Sequence, residues 1–398
     1  MPPLSPFNER ARSALPDRSP VDLHDITLRE GQQAADVALS LEEQVELGLA
    51  LGKAGVPYMQ AGFAGQDDAT VTALKAAGTA SRVSVLAVAF RPDWKACIES
   101  AAAAGADVLE VLVRSSDAQL AAMGITREDS LRQVDDAVGA AVASGAEPWF
   151  IASFGTLADE DHLLRMYAAA HEAGAKRFVI ADTTGIATPA AIAYLVGRVR
   201  EGTGGASVGV HCHEDFGLAN ALTLAAVEAG ADLAEVSVNG YGERAGNCSL
   251  SQLALALELL YERPAGIDLR QLTALERLAS RLSRVPLAAS QPVSGDNVFA
   301  QKLDIHVMLT RENPGLLEPF PPDLVGNERV LRLGRGTGPV AVATKAVELG
   351  HPEPSDAVAI AEQVRAIAVR EKRAVTEAEF LALVNGPQNG NATESRST

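Results

Sequence analysis

The stretch SVGVHCHEDFGLANALTLAAVEAGADLAEVSVN, residues 207–239, contains one complete architectural unit and the start of the next. Residues 207–213 alternate small or β-branched positions with polar ones and read as a strand. The Ala- and Leu-rich run that follows, to Glu228, reads as a helix. Ala229-Gly230-Ala231 ends it, because glycine just past the last turn takes the left-handed conformation that stops a helix. Residues 233–239 then read as the next strand.

Working outward, the same cycle repeats back to the start of the chain. Strands are expected at 21–26, 56–62, 83–89, 107–113, 147–153 and 177–182 as well, giving eight. The helix stop recurs too, with Gly55, Gly105, Gly145 and Gly174 each following a small residue just before a strand. Ser40 and Glu43 form a capping-box pattern at the start of the first helix. Eight βα units in a span of about 260 residues predict an α/β fold, a (β/α)8 TIM barrel, with a doubly wound sheet as the poorer alternative. Past residue 262 the rhythm changes to a helical stretch (268–284), a Pro- and Gly-punctuated region (286–340), and helical periodicity at 340–350, 355–372 and 376–384. The expected division is a disordered arm (1–19), the barrel (20–284), a mainly helical C-terminal region (285–385) and a disordered tail (386–398).

Composition narrows the function. The 398 residues carry 34 Lys and Arg against 51 Asp and Glu, a net charge of −17, so the basic face needed for nucleic acid or anionic membranes is not expected. No stretch approaches the ~20 uncharged apolar residues of a membrane span, and the first twenty residues lack the apolar run of a secretory signal. A cytoplasmic protein is expected. Cys97, Cys212 and Cys248 are scattered without a CxxC pair, which argues against a disulfide scaffold or a cysteine-based zinc module.

In such barrels the chemistry sits at the C-terminal ends of the strands. Strand one runs into Asp25-Ile26-Thr27-Leu28-Arg29-Glu30-Gly31-Gln32-Gln33, a loop unusually rich in polar groups. Strand seven ends in His211-Cys212-His213-Glu214-Asp215, and alternation puts both imidazoles on one face. Two His with a carboxylate such as Glu30 across the mouth make a facial triad for a first-row cation. An HxH pair alone is more often structural; its place at the end of strand seven, opposite an acidic loop, favours the metal. Strand eight ends in Asn239-Gly240-Tyr241-Gly242-Glu243-Arg244-Ala245-Gly246-Asn247, where three glycines permit close backbone approach or simply a tight turn.

The segments DITLREGQQ (25–33), HCHEDFGLANALTLAAVEAGA (211–231) and NGYGERAGN (239–247) resemble the motifs of the homocitrate synthase and 2-isopropylmalate synthase family of metal-dependent TIM-barrel enzymes. Arg29-Glu30, the length and Ser116-Asp117-x-Gln119-Leu120 bring the chain nearest to the nitrogen-fixation type of homocitrate synthase. Asp182-Thr183-Thr184-Gly185 resembles the family's strand-six motif. The resemblance implies a Claisen condensation of acetyl-CoA with a 2-oxo acid, then thioester hydrolysis that releases CoA. It implies that Glu30, His211 and His213 bind a divalent cation (Mg2+, Mn2+, Zn2+ or Co2+), with Asn247 beside it or as a further ligand. Arg29 would steady the alkoxide, and Gln33 and Thr183 would orient the substrate carboxylate. His306, in a segment similar to one the family supplies from a partner subunit, is the candidate acid–base residue, and a homodimer is expected.

Several positions depart from that family. Gln60 stands where an acid is expected, Trp149 at an Arg that grips the distal carboxylate of 2-oxoglutarate, Ser153 at a supporting Glu and Leu317 at a Tyr. Gly334-Arg335-Gly336-Thr337-Gly338 stands where GKHSG is usual. Arg114, at the end of strand four, is an added cation: either part of a surface ion pair or, facing the mouth, a fork for an extra carboxylate or phosphonate on the 2-oxo acid. Three alternatives stay open. A lyase or aldolase on the same barrel would cleave a 2-hydroxy acid or hydroxyacyl-CoA, with Cys248 beside its loop; the others are a non-haem iron oxygenase and a non-catalytic metal-binding protein.

Overall fold

The computed structural model describes residues 5–8 and 19–385. The expected arm lies outside the described residues except for 5–8 and 19, and the expected tail lies wholly outside them. The chain divides into two compact units, with the break between Leu287 and Ala288.

The first unit is a closed barrel of eight parallel strands in sequential order. They are β1 (Asp22–Asp25), β2 (Tyr58–Phe63), β3 (Arg82–Val88), β4 (Val108–Arg114), β5 (Glu147–Ser153), β6 (Arg177–Asp182), β7 (Ser207–Cys212) and β8 (Leu233–Val236). β8 closes the ring by pairing with β1, His24 opposite Glu235. The helix stops fall where the sequence puts them: Gly55, Gly105, Gly145, Gly174 and Gly230 all have φ between +86° and +110°. Ser40 and Glu43 form the reciprocal capping box at the head of the helix Leu41–Lys53. The barrel's interior is filled by Tyr58, Leu86, Val108, Trp149, Ile151, Val179, Ala181 and Leu233. Strands covered on both faces explain why each reads as a nearly unbroken apolar run.

The second unit has its own core, in which Val342, Ile360, Val364 and Phe380 are buried among the helices Pro339–Glu348, Ala357–Glu371 and Glu377–Val384. The region 286–340, expected only as punctuated chain, contains the helix Asp304–Glu312 and a parallel pair of two-residue strands, β9 (Ala300–Gln301) and β10 (Val330–Leu331). That helix carries no side-chain cap of its own, so its start left no signature. The Asp304 carboxylate instead accepts the main-chain N–H groups of Gly338, Val340 and Ala341, at 3.1, 2.9 and 2.9 Å, and so caps the helix Pro339–Glu348. Among the described residues no helix is long and apolar enough to cross a membrane.

Candidate active site

The alternation of β7 turns His211 inward, and His213 follows on the same side just beyond the strand. The loop after β8 folds back over that end. His213 and Asn247 form an antiparallel bridge, and the Glu214 N–H donates to the Gly246 carbonyl at 2.8 Å. The return requires glycine at 246, whose φ of +97° is left-handed and whose absent Cβ would strike the Gly240 carbonyl. Arg244 secures the loop from outside, with Nε and Nη2 each 2.9 Å from the Asp215 carboxylate and Nη2 also donating to the Thr183 carbonyl at 2.6 Å.

Glu30, His211 and His213 each bring one donor atom into a cluster no more than 4.8 Å across, and all three are buried. His211 Nδ1 donates to Glu235 at 2.6 Å, which fixes the tautomer and leaves the Nε2 lone pair facing the mouth. That atom lies 3.1 Å from His213 Nε2 and 3.3 Å from the Asn247 amide nitrogen. Burial and the neighbouring His211 push His213 down to about 3, so its imidazole is neutral. Burial alone would raise Glu30, but the Arg29 guanidinium beside it leads the neighbours that outweigh burial and hold the carboxylate below its ordinary range. The Asn247 Oδ1 is buried with no hydrogen-bond partner. A carboxylate, two imidazoles and an unsatisfied amide oxygen form the donor set of a hard or borderline divalent cation, so these residues fit the implied metal.

Around this cluster the other expected residues take varied places. Arg29 is buried and binds both the Glu30 carboxylate and the Gln60 side-chain oxygen. Gln33 donates to Glu30 at 2.9 Å, and the Thr183 hydroxyl accepts the Phe154 N–H at 3.0 Å. Phe154 is left-handed, with φ of +58°, so Thr183 anchors a strained turn after β5. Arg114 is the last residue of β4, at the mouth end and on the same side of the strand as Glu110 by alternation, and its register partner on β5 is Ser153. Its guanidinium stacks 3.8 Å from the Phe90 ring centroid and makes no ion pair with any described residue, so it is not half of a surface salt bridge. His306 and Leu317 belong to the second unit, His306 half-buried and Leu317 exposed.

One expectation needs correction. Trp149 is not on the substrate wall: it is fully buried four residues before the end of β5, bonded through its indole N–H to Glu147 at 2.7 Å and packed against Tyr58 and His24. Ser153 holds the mouth end of that strand, its hydroxyl accepting from Gln119 at 3.1 Å. Cys248 is completely buried, which removes the exposed thiol that a cysteine-assisted lyase would need.

Beneath the cluster lies a polar layer that motif reading missed. Gln60 links Arg29 to Glu110, donating to the latter at 2.6 Å; His24 lies 3.3 Å from Glu110 and 3.4 Å from Glu235. The signal was an ionisable residue at an inward position of an apolar strand: His24 in DLHD, Glu110 in VLEVLVR, Glu235 in LAEV.

The HMGL-like family's profile matches residues 20–279, the whole barrel. A probable 2-isopropylmalate synthase from Ignicoccus hospitalis is 36% identical over 342 residues, 85% of each chain. A homocitrate synthase from Methanopyrus kandleri is 35% identical over 388 residues, 96% of this chain and 94% of that one. A putative (R)-citramalate synthase from the same organism is 32% identical and covers 94% of this chain and 74% of that one. Among solved structures, an HMG-CoA lyase from Bacillus subtilis matches with a TM-score of 0.61 at 17% identity, covering 68% of this chain and 96% of that one, a likeness of fold alone. Closed barrel, clustered donors and these relatives agree: the chain belongs to the HMGL-like family, as an enzyme of the acyl-transferring kind that the homocitrate, 2-isopropylmalate and citramalate synthases represent.

Proposed function

We propose that this enzyme condenses acetyl-CoA with a 2-oxo acid bearing a further anionic group, giving a 2-hydroxy-2-(carboxymethyl) acid and free CoA. The observation that carries the specificity is Arg114, a cation at the barrel mouth that no carboxylate neutralises among the described residues. Burial depresses its basicity slightly, yet a guanidinium remains charged at any working pH, so an anionic substrate group is its natural counterion.

Glu30, His211, His213 and Asn247 would hold a divalent cation, of which Mg2+, Mn2+, Zn2+ and Co2+ all suit the donors. When bound, such a cation polarises the 2-oxo group toward attack. The chain's own groups divide the remaining work. Arg29, pinned by Glu30 and Gln60, presents fixed positive charge where the ketone oxygen gains electrons. Gln33 and Thr183 orient the 2-oxo carboxylate, and Arg114 grips the distal anion beside Ser153. His306 is the group assigned to take a proton from the acetyl methyl carbon, and the family pattern supplies it from a second copy of the chain. A soluble homodimer of the cytoplasm is part of the same reading.

The test is release of CoA thiol from acetyl-CoA by metal-loaded protein with 2-oxoglutarate, 2-oxoisovalerate, pyruvate, oxaloacetate and phosphonopyruvate in turn. Release is expected with an acceptor carrying a second anion and is abolished by chelator or His213→Ala. Arg114→Gln raises KM for that acceptor by about ten-fold or more, while pyruvate turnover is little changed. If no acceptor supports release although 2-oxo acids bind the metal-loaded protein, condensation is overturned in favour of 2-hydroxy acid cleavage.

A further inference from the structure

The second unit contains a cavity of about 580 Å3 whose wall carries Lys302, Arg332, Arg335, Lys372 and Arg373, together with His306, and no carboxylate among the described residues. Five cations converging on one hollow are conspicuous in a chain of net charge −17. Two are partly neutralised from behind: Arg373 pairs with Glu379 at 2.7 Å, and Arg332 approaches Asp296 at 3.7 Å. Lys302, Arg335 and Lys372 have no ion pair with any described residue. Like charges held this close repel one another unless an anion sits among them.

The backbone that presents these cations is built. Gly336 packs on Leu303 and Gly338 on the Asp304 carboxylate, with no space for a Cβ at either glycine. The Thr337 hydroxyl accepts the Gly334 N–H at 2.7 Å, and its carbonyl accepts from Arg365 at 2.9 Å, so Arg335 projects from a fixed loop. Lys372, also in the wall, ends the helix Ala357–Glu371 in the left-handed conformation, with φ of +53°, a state a non-glycine residue holds only when its surroundings demand it. The floor is apolar, formed by Leu333 and Ala368. A cavity of this size, cationic at the rim and apolar below, suits a small molecule with an anionic end and an uncharged body.

We propose that the C-terminal unit carries its own anion site, and that its ligand is a pyrophosphate-bearing molecule of the nucleotide or coenzyme A type. A single carboxylate would leave most of the charge unmatched, whereas two linked phosphates offer enough acceptor oxygens for several lysine and arginine donors. The assignment goes beyond the condensing reaction: His306, given the acetyl methyl proton above, lines the same cavity, but the cations that carry the proposal have no part in that reaction, and the pyrophosphate measurement does not rest on it.

Calorimetric titration of the full chain with inorganic pyrophosphate, ADP and CoA tests the assignment. Pyrophosphate is expected to bind, more weakly as salt rises, and Lys302→Gln/Arg335→Gln to weaken it by about ten-fold or more. Lys372→Gln, on a separate element of the wall, is expected to do the same, and unchanged circular dichroism and metal uptake at the barrel show that each variant is folded. Equal losses for ADP and CoA identify a general polyphosphate site; a loss of affinity confined to CoA beyond that for pyrophosphate identifies the coenzyme as the source. Failure of pyrophosphate, ADP and CoA to bind, or binding that the substitutions leave untouched, overturns the proposal. Because binding rather than turnover is read, failure of the condensation assay leaves this result standing.

Discussion

At the scale of single residues, the barrel places its proton-holding groups one layer below the metal-type donors. Burial pushes Glu110 up to about 7. Burial disfavours the charged form of His24, but Glu110 and Glu235 outweigh it and raise its affinity for a proton. Glu235 is held well below the carboxylate range, because its hydrogen bonds with His211 and His24 overcome burial. Glu110 and His24 therefore bind protons more tightly folded than unfolded. Glu110's contribution to stability is fully present only below its ordinary value of 4.5 and is lost as pH rises from there through about 7, while that of His24 is full below 6.5 and declines above it. The expected result is a melting temperature that loses this contribution between about pH 4.5 and pH 7, with a shallower fall in Glu110→Gln, whose amide cannot ionise. Calorimetric scans across that interval check it, and parallel curves for both proteins would refute it. The same layer explains Gln60, since an amide can accept from Arg29 and donate to Glu110, which a carboxylate at that position cannot do unless protonated.

At the scale of elements, the helix–strand joints were the most legible part of the chain, because a glycine forced into a left-handed turn leaves a local mark. Gly230 is one such case, with φ of +103° and its missing Cβ facing the Arg200 guanidinium at 3.3 Å. Gly230→Ala is expected to cost about 1–2 kcal/mol, read as a lower denaturant midpoint at unchanged m-value, with no effect on metal affinity. The donor triad was legible for a similar reason: His211 and His213 lie two residues apart where β7 ends, so alternation continued past the strand fixes their relation. The layer of His24, Gln60, Glu110 and Glu235 was not, because each residue sits on a different strand and their meeting depends on barrel register. Trp149 failed for the same reason. Its place along β5 decides whether it faces the mouth or the base, and motif comparison alone put it a layer too high.

At the scale of the whole molecule, the second unit exposes apolar surface that a solitary chain would pay to hydrate. Ile305 and Met308 on one helix, and Leu316 and Leu317 just after it, are each more than two-fifths exposed. Together they form a patch of the kind that marks subunit contacts. Light scattering is expected to give twice the chain mass, and Ile305→Asp/Met308→Asp to shift it toward the single chain. A wild-type monomer at micromolar concentration would reject the homodimer. The C-terminal architecture as a whole was only half legible, since its helices show periodicity but the segment between them is ordered by long-range contacts such as the Asp304 cap.

The burial of Cys97, Cys212 and Cys248 has a practical corollary. Burial raises all three thiols above their ordinary range, Cys248 to about 12, so the folded enzyme presents almost no nucleophilic sulfur to a disulfide-exchange dye. Colour developed by the native protein with acetyl-CoA then counts liberated coenzyme without an enzyme blank. Slow colour from the protein alone counts molecules whose fold has opened, so one reagent serves both as an assay and as a clock for unfolding.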